Sequence, residues 1–137
     1  IILCSGWMSA LAPLYLKKAY NNEPFFAHSK IVLMLDNEEY TKPFGTKFAE
    51  KLRIDGISNT DVRPIAGFNV GYEELMRLAV DYSDAIVYAS PHVNQHVMNY
   101  AETKGKPILP YMEQENINDV CKRQWEFFQT LLETNNE

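Results

Sequence analysis

Short runs of apolar residues alternate along the chain with longer segments in which apolar positions recur at helical spacing. The short runs predict four strands, at residues 1–4, 30–35, 84–89 and 107–109. Residues 31–35 are apolar without interruption, which is typical of a parallel strand covered on both faces. Strands alternating with helices indicate an α/β fold built on a parallel sheet.

Helical spacing predicts helices at residues 8–20, 44–52, 72–79, 93–101 and 117–132. Pro13 falls near the first turn of the first helix, where its missing N–H costs least. Lys104 and Gly105 end the fourth helix with a basic last turn and a glycine suited to the left-handed conformation. Right-handed crossovers between the strands then give one four-stranded parallel sheet with helices on both faces.

Ligands of such sheets meet the loops that follow the carboxyl ends of the strands. Here those loops are residues 5–9, 36–44 and 90–92. The acidic group Asp36, Glu38 and Glu39 could hold a metal or a sugar hydroxyl, or serve only solubility, and both readings stay open. Trp7 follows the first strand, where an aromatic face suits a sugar ring but packing at a strand–helix corner is the alternative.

Length and charge limit the number of domains and the kinds of partner that the chain can have. The 137 residues, of 15.8 kDa, are enough for one domain. Thirteen Lys and Arg stand against 18 Asp and Glu, a net charge of -5 without basic concentrations, so nucleic acid and membrane are not expected partners. Apolar runs are far shorter than the ~20 residues of a membrane span. Cys4 and Cys121 are expected to be reduced thiols, and we expect a soluble, cytoplasmic protein.

The sequence gives little support for a metal site, a phosphate-binding loop or a hydrolytic triad. His92 and His96 are spaced i, i+4 at the start of a predicted helix, but a third ligand and an intervening glutamate are lacking, so a solvated helix turn is preferred and no metal is expected. Glycine-rich phosphate loops do not occur, so neither dinucleotide nor triphosphate binding is indicated, and no cofactor is expected. His28 has no nucleophile with which sequence could pair it.

The order of residues carries a family resemblance. Residues 5–17, Ser-Gly-Trp-Met-Ser-Ala-Leu-Ala-Pro-Leu-Tyr-Leu-Lys, resemble the His-Asp-Trp-His-Thr-Ala-Leu-Val-Pro-Leu-Tyr-Leu-Lys segment of bacterial glycogen synthases and plant starch synthases. Residues 35–40, Leu-Asp-Asn-Glu-Glu-Tyr, stand at the place of the family's Ile-His-Asn-x-x-Tyr-Gln-Gly motif. Residues 75–91 resemble its Lys-Ala-Gly-Ile-x-Tyr-Ala-Asp-x-Val-x-Thr-Val-Ser-Pro segment. The resemblance covers roughly residues 1–92.

This resemblance implies a GT-B glycosyltransferase, whose N-terminal domain faces an α-1,4-glucan acceptor and whose C-terminal domain holds ADP-glucose or UDP-glucose. The implied reaction extends the non-reducing end of the glucan with retention at the anomeric carbon. Residues 1–137 are then expected to be part of the Rossmann-like, acceptor-side domain, similar to short single-domain bacterial relatives. The chain starts inside an apolar run without Met, so a preceding segment is expected. By the resemblance, the family's Lys-x-Gly-Gly-Leu donor loop would lie upstream, where its presence would favour the enzyme and its absence a non-catalytic module.

Several positions depart from the family pattern. Ser5, Gly6 and Met8 stand where the motif has His, Asp and His, and Asp36 replaces another histidine. No catalytic residue is assigned, and the chain alone is expected to transfer no glucose. The substrate-binding candidates are Trp7, Met8, Asp36, Asn37, Tyr40 and Ser90. Two alternatives stay open: a degenerate, non-catalytic glucan-binding or regulatory module, and a structural half-domain completed by its missing half or by a homo-oligomer.

Overall fold

The computed structural model describes residues 1–113 and 116–134. Four strands, β1 (Ile2–Ser5), β2 (Ile31–Leu35), β3 (Ala85–Tyr88) and β4 (Ile108–Leu109), form a parallel sheet in the order β1-β2-β3-β4. The helices are α1 (Ala12–Lys18), α2 (Phe48–Lys51), α3 (Tyr72–Tyr82), α4 (Gln95–Thr103) and α5 (Ile117–Glu133), with 3-10 turns at Trp7–Ser9 and Arg63–Ile65. The α/β fold and its four predicted parallel strands are confirmed.

The two faces of the sheet bury different helices. On one face, Leu33 and its alternate neighbours along β2 pack in a core that includes Leu14 of α1, Leu75 of α3 and Val97 of α4. On the other face, Val32 packs with Leu131 of α5 and its aromatic neighbours. Successive side chains of a strand point to opposite faces, so an uninterrupted apolar β2 is what two covered faces require. The prediction of helices on both faces is confirmed.

The helix ends follow from specific side chains. Glu74 Oε2 accepts a hydrogen bond from the Gly71 N–H at 2.9 Å and so satisfies one exposed donor at the start of α3. Asn94 Oδ1 accepts from Val97 N at 3.1 Å and caps α4. Gly105 follows α4 with φ 64°, the left-handed conformation predicted for it. Lys106 Nζ lies 2.6–2.7 Å from three carbonyl oxygens at the end of α3.

Two predicted helices are shorter than expected. The helix predicted at residues 8–20 is a 3-10 turn at Trp7–Ser9 followed by α1, because Pro13 has no N–H with which to continue helical bonding back to the preceding turn. The helix predicted at residues 44–52 is only α2, because Gly45 has φ 92° and Lys47 offers no side-chain cap. Within residues 1–113 and 116–134, no helix is both long and apolar enough to cross a bilayer.

Candidate functional site

The carboxyl ends of three neighbouring strands bring the predicted loops to one edge of the sheet. Trp7 follows β1, Asp36 and Asn37 follow β2, and Ser90 follows β3. Parallel pairing with β2 in the middle makes this edge common to all three loops. The edge is therefore where a ligand would meet residues from distant parts of the sequence.

An aromatic cluster lies at this edge. It comprises Trp7, Tyr40, Phe44, Phe48 and Tyr72. The ring centroids of Trp7 and Tyr40 are 4.9 Å apart, as are those of Tyr40 and Phe44. Phe44 and Phe48 stack at 4.7 Å with an interplanar angle of 13°, and Tyr72 meets Tyr40 edge-on at 6.0 Å. Of the predicted site residues, Trp7 and Tyr40 are thus in direct contact.

Part of this apolar surface faces solvent. Phe44 is 42% exposed, and Met8, next to Trp7 in the 3-10 turn, is 84% exposed. Trp7 itself is half-buried against the core. A flexible thioether beside partly exposed rings makes an adaptable apolar surface, able to pack against the C–H faces of a sugar.

The acidic loop lies close to this cluster. Burial raises the pKa of Tyr72 to about 12, and the negative charges of Glu39, Asp36 and Glu38 contribute to that rise. All three carboxylates of the predicted acidic group therefore lie close enough to Tyr72 to raise its pKa. An edge that carries several carboxylates favours hydroxyl-bearing ligands over anions, because carboxylate oxygens only accept hydrogen bonds and repel negative charge.

The hydroxyl of Tyr40 is buried without a hydrogen-bond partner among the described residues. Burial raises the pKa of Tyr40 to about 12, with smaller electrostatic contributions from the Glu74 carboxylate and from Tyr72. The phenol therefore stays protonated at neutral pH and keeps an O–H donor.

The remaining predicted residues make local contacts. Asp36 Oδ1 accepts a hydrogen bond from the backbone N–H of Asn37 at 2.8 Å, and Asn37 is exposed. Ser90 Oγ accepts from the backbone N–H of His92 at 3.1 Å, which fixes the loop after β3. Both contacts shape loops at the site edge and leave further lone pairs on the carboxylate and the hydroxyl.

Asn94 joins the acidic loop to two helices. Its Nδ2 donates to Glu39 Oε1 at 3.1 Å and to Glu73 Oε1 at 3.4 Å. Sequence reasoning missed this residue, although an asparagine just before a helix-periodic segment is a recognised N-cap signal. It also missed Phe44 and Phe48 as members of the aromatic cluster, although both fall at i, i+4 in the helix predicted at residues 44–52.

Metal-binding geometry is absent from the part of the chain that the structure describes, where no three His, Cys, Asp or Glu side chains are grouped to hold an ion. The predicted placement of His92 and His96 together at a helix start is wrong, because α4 begins at Gln95 and His92 lies in the loop before it. Both cysteines are free. An open cleft of about 430 Å³, lined by Lys17, Ala27, His28, Ser29 and Lys30, lies near the start of β2, away from the aromatic cluster.

Comparison with known proteins gives consistent matches. The family model described as the starch synthase catalytic domain matches residues 1–108. The glycogen synthase of Aeromonas salmonicida is 26% identical over 105 residues, which cover 77% of this chain and 21% of that protein. The glycogen synthase of Thermotoga maritima is 30% identical over 92 residues, 66% of this chain and 18% of that protein. That of Desulforudis audaxviator is 29% identical over 90 residues, 66% of this chain and 17% of that protein.

The chain spans about a fifth of the length of the curated relatives it matches. No solved structure matches it. The matched segment runs from β1 into β4 and so includes the strand ends that carry Trp7, Asp36 and Ser90. Since the family model covers most of the chain, this protein belongs to the starch synthase catalytic domain family.

Proposed function

We propose that the aromatic cluster is a glucan-binding surface on the acceptor side of a glycogen or starch synthase-type glucosyltransferase. The observation that carries this proposal is the packing of Trp7 on Tyr40 beside the exposed Met8 and Phe44, at the carboxyl edge of the sheet. The reaction of the complete enzyme is the transfer of glucose from ADP-glucose or UDP-glucose to an α-1,4-glucan, with retention. The similarity to glycogen synthases supports this choice of substrate.

The chemistry of the edge suits an uncharged sugar polymer. Apolar surface from Trp7, Met8 and Phe44 covers sugar C–H faces. The oxygens of Asp36 and Asn37 accept hydrogen bonds from sugar hydroxyls, and the Asn37 amide nitrogen donates to them. Ser90 adds a hydroxyl at the next strand end. The proposed role of these residues is binding and orientation, and no proton transfer is assigned to them.

Residues 1–137 are proposed to be part of the acceptor-side, Rossmann-like domain of a cytoplasmic protein. The groups that would bind the nucleotide diphosphate and stabilise an oxocarbenium ion have to come from elsewhere, since the edge described here carries carboxylates and aromatic rings. We therefore expect no glucosyl transfer by the purified 137-residue protein. Incorporation of labelled glucose from ADP-glucose into glycogen by that protein would contradict this expectation.

A second candidate is a non-catalytic glucan-binding or regulatory module. Ser5, Gly6 and Met8 favour it, because they replace the imidazoles and carboxylate of the family motif with groups of little acid–base use. Both candidates predict glucan binding. They differ in whether a longer protein that contains this chain transfers glucose.

Glucan binding is tested with maltoheptaose. In a Trp125→Phe background Trp7 is the only tryptophan, so a saturable change in its fluorescence is expected on titration. By calorimetry, Trp7→Ala should weaken binding roughly tenfold. The matched control is Trp125→Ala, which removes an exposed tryptophan of α5 and should leave affinity unchanged. Absence of any binding by the unmodified chain would overturn the glucan-binding role.

A further inference from the structure

Gly6 links β1 to the turn that carries Trp7, in a conformation that suits only glycine. Its φ is 69° and its ψ is 175°, a combination in which a Cβ would be strained. The residue is buried, and its N–H donates to the carbonyl of Met34 at 3.3 Å. The strand end beside Trp7 therefore has no side chain of its own.

The carboxylate of Glu38 fills the space beside Gly6 where a side chain would begin. A Cβ built on Gly6 would lie 2.9 Å from Glu38 Oε2 and 3.8 Å from Glu38 Cδ. Glu38 is exposed, and in residues 1–113 and 116–134 no Lys, Arg or His nitrogen lies within ion-pair distance of it. A carboxylate held there without a cation keeps oxygen lone pairs available to a ligand hydroxyl.

The glycogen synthase segment has an aspartate where Gly6 stands, so Glu38 brings a carboxylate close to a position where the family motif carries one. We infer that Glu38 supplies from the neighbouring loop the carboxylate that position 6 has lost, and that it accepts a hydrogen bond from a hydroxyl of the glucan lying against Trp7. This inference rests on the proposed glucan-binding function. It adds a specificity-determining residue at a position that the motif leaves unspecified.

The surroundings of Glu38 indicate the class of ligand. Asp36 and Glu39 lie on the same loop as Glu38, and the negative charges of all three carboxylates help to raise the pKa of Tyr72. A phosphate ester placed here would face several like charges at short range, whereas a neutral polyol would only donate hydrogen bonds. An anionic ligand is therefore disfavoured here, which agrees with the inferred uncharged glucan.

The test is calorimetric titration of the 137-residue protein with maltoheptaose. Glu38→Ala should lower the affinity roughly tenfold or more, because a hydrogen bond to a charged acceptor is lost. Glu38→Gln, which keeps the size and an uncharged acceptor, should lose less. Glu126→Ala removes an exposed carboxylate from α5, on the other face of the sheet, and should bind as the unmodified protein does.

A second measurement separates a direct contact from support of the loop. A series of maltotrioses, each lacking one hydroxyl, should contain one member that the unmodified protein and Glu38→Ala bind equally, because both then lack the same hydrogen bond. Equal binding of maltoheptaose by Glu38→Ala and the unmodified protein would overturn the role of Glu38 and leave the glucan site standing. Failure of the unmodified protein to bind would overturn both proposals.

Discussion

Asn94 Nδ2 lies 3.1 Å from Glu39 Oε1, which ties the acidic loop after β2 to the start of α4. The same amide group reaches Glu73 on α3, while its oxygen caps α4 through the N–H of Val97. One short side chain therefore satisfies a helix end and holds two carboxylates of different elements together. The proposed binding edge depends on this contact for the position of its acidic loop.

Replacing Asn94 should separate its two roles. Asn94→Ala loses the cap and both donated bonds and should destabilise the protein by about 1–2 kcal/mol. Asn94→Asp keeps an oxygen for the cap but places a third carboxylate against Glu39 and Glu73, so its loss should shrink at high salt. Urea unfolding at low and high salt measures both, with Gln95→Ala as the control. Equal, salt-independent losses in the two variants would contradict this account.

The sheet could be predicted because its signal is local. The uninterrupted apolar β2 and the helical period of α3 each record burial by neighbours along one element, and both lie close to their predicted positions. The ends of the helices were harder to predict where a single residue determines them. Pro13 ended the continuity of the first predicted helix, which periodicity alone extended across it.

Removing the hydroxyl of Tyr40 should stabilise the protein, whereas most substitutions in a core destabilise it. A buried hydroxyl without a partner costs about 1–3 kcal/mol, so Tyr40→Phe should stabilise the protein by about 1 kcal/mol. Tyr82→Phe is the matched control, because the Tyr82 hydroxyl donates to the Asp61 carbonyl at 2.9 Å and its removal should destabilise. Urea unfolding compares them. A destabilised Tyr40→Phe would mean that its hydroxyl is satisfied.

Asp61 should contribute to acid sensitivity. The backbone N–H of Ser58, the Ser58 hydroxyl and Lys18 together lower the pKa of Asp61 to about 2, below its ordinary 3.8. Because the folded pKa is depressed, this carboxylate stabilises the protein above about pH 4 and loses that effect as pH falls towards 2. The contribution should be about 1–2 kcal/mol after solvent screening.

The measurement is urea unfolding of the unmodified protein and Asp61→Asn between pH 2 and pH 5. The difference between their free energies of unfolding should be largest at the upper end and shrink as the carboxylate becomes protonated. Asp55→Asn, at an exposed loop position, serves as the control. A difference that does not change across this range would show that Asp61 has an ordinary pKa in the folded state.

Lys106, which lies just after α4, should contribute strongly to the stability of the protein. Its ammonium donates to the carbonyls of Val80, Asp81 and Ser83, which cluster where α3 ends. The Val80 carbonyl also accepts from the Ser83 N–H at 3.3 Å. Lys106→Met should therefore cost about 2–3 kcal/mol. Lys104→Met, which breaks a partly exposed ion pair with Asp81, should cost less than about 1 kcal/mol. Thermal unfolding distinguishes the two, and equal losses would contradict the carbonyl-binding role.

The candidate site was less accessible from sequence than the fold. Trp7 and Tyr40 could be nominated from motif positions, and they are in contact. The contact of Phe44 with Tyr40 could not be foreseen, because helical spacing at residues 44–52 does not show how the loop after β2 returns to that segment. Glu38 and Gly6 follow two different strands and come close only in the folded protein. A glycine has no side chain, so patterns of apolar and polar residues could not predict this contact.

Gly6 and Gly45 form a matched pair that tests this approach. Both have positive φ, at 69° and 92°, so replacement by alanine should cost each about 1–3 kcal/mol in backbone strain. Only at Gly6 does the new Cβ also meet Glu38, since nothing lies within 4 Å of a Cβ at Gly45. Gly6→Ala should therefore destabilise more than Gly45→Ala, as measured by urea unfolding.

Adding Glu38→Ala should recover part of the loss in Gly6→Ala and none of the loss in Gly45→Ala, because it removes the collision and leaves the strain. The recovery is partial because the backbone strain at residue 6 remains, and it is small because the carboxylate ends a flexible side chain that can move aside. If Glu38→Ala had the same effect in both backgrounds, Glu38 would not occupy the space beside Gly6 in solution, and the carboxylate would lose its proposed place beside Trp7.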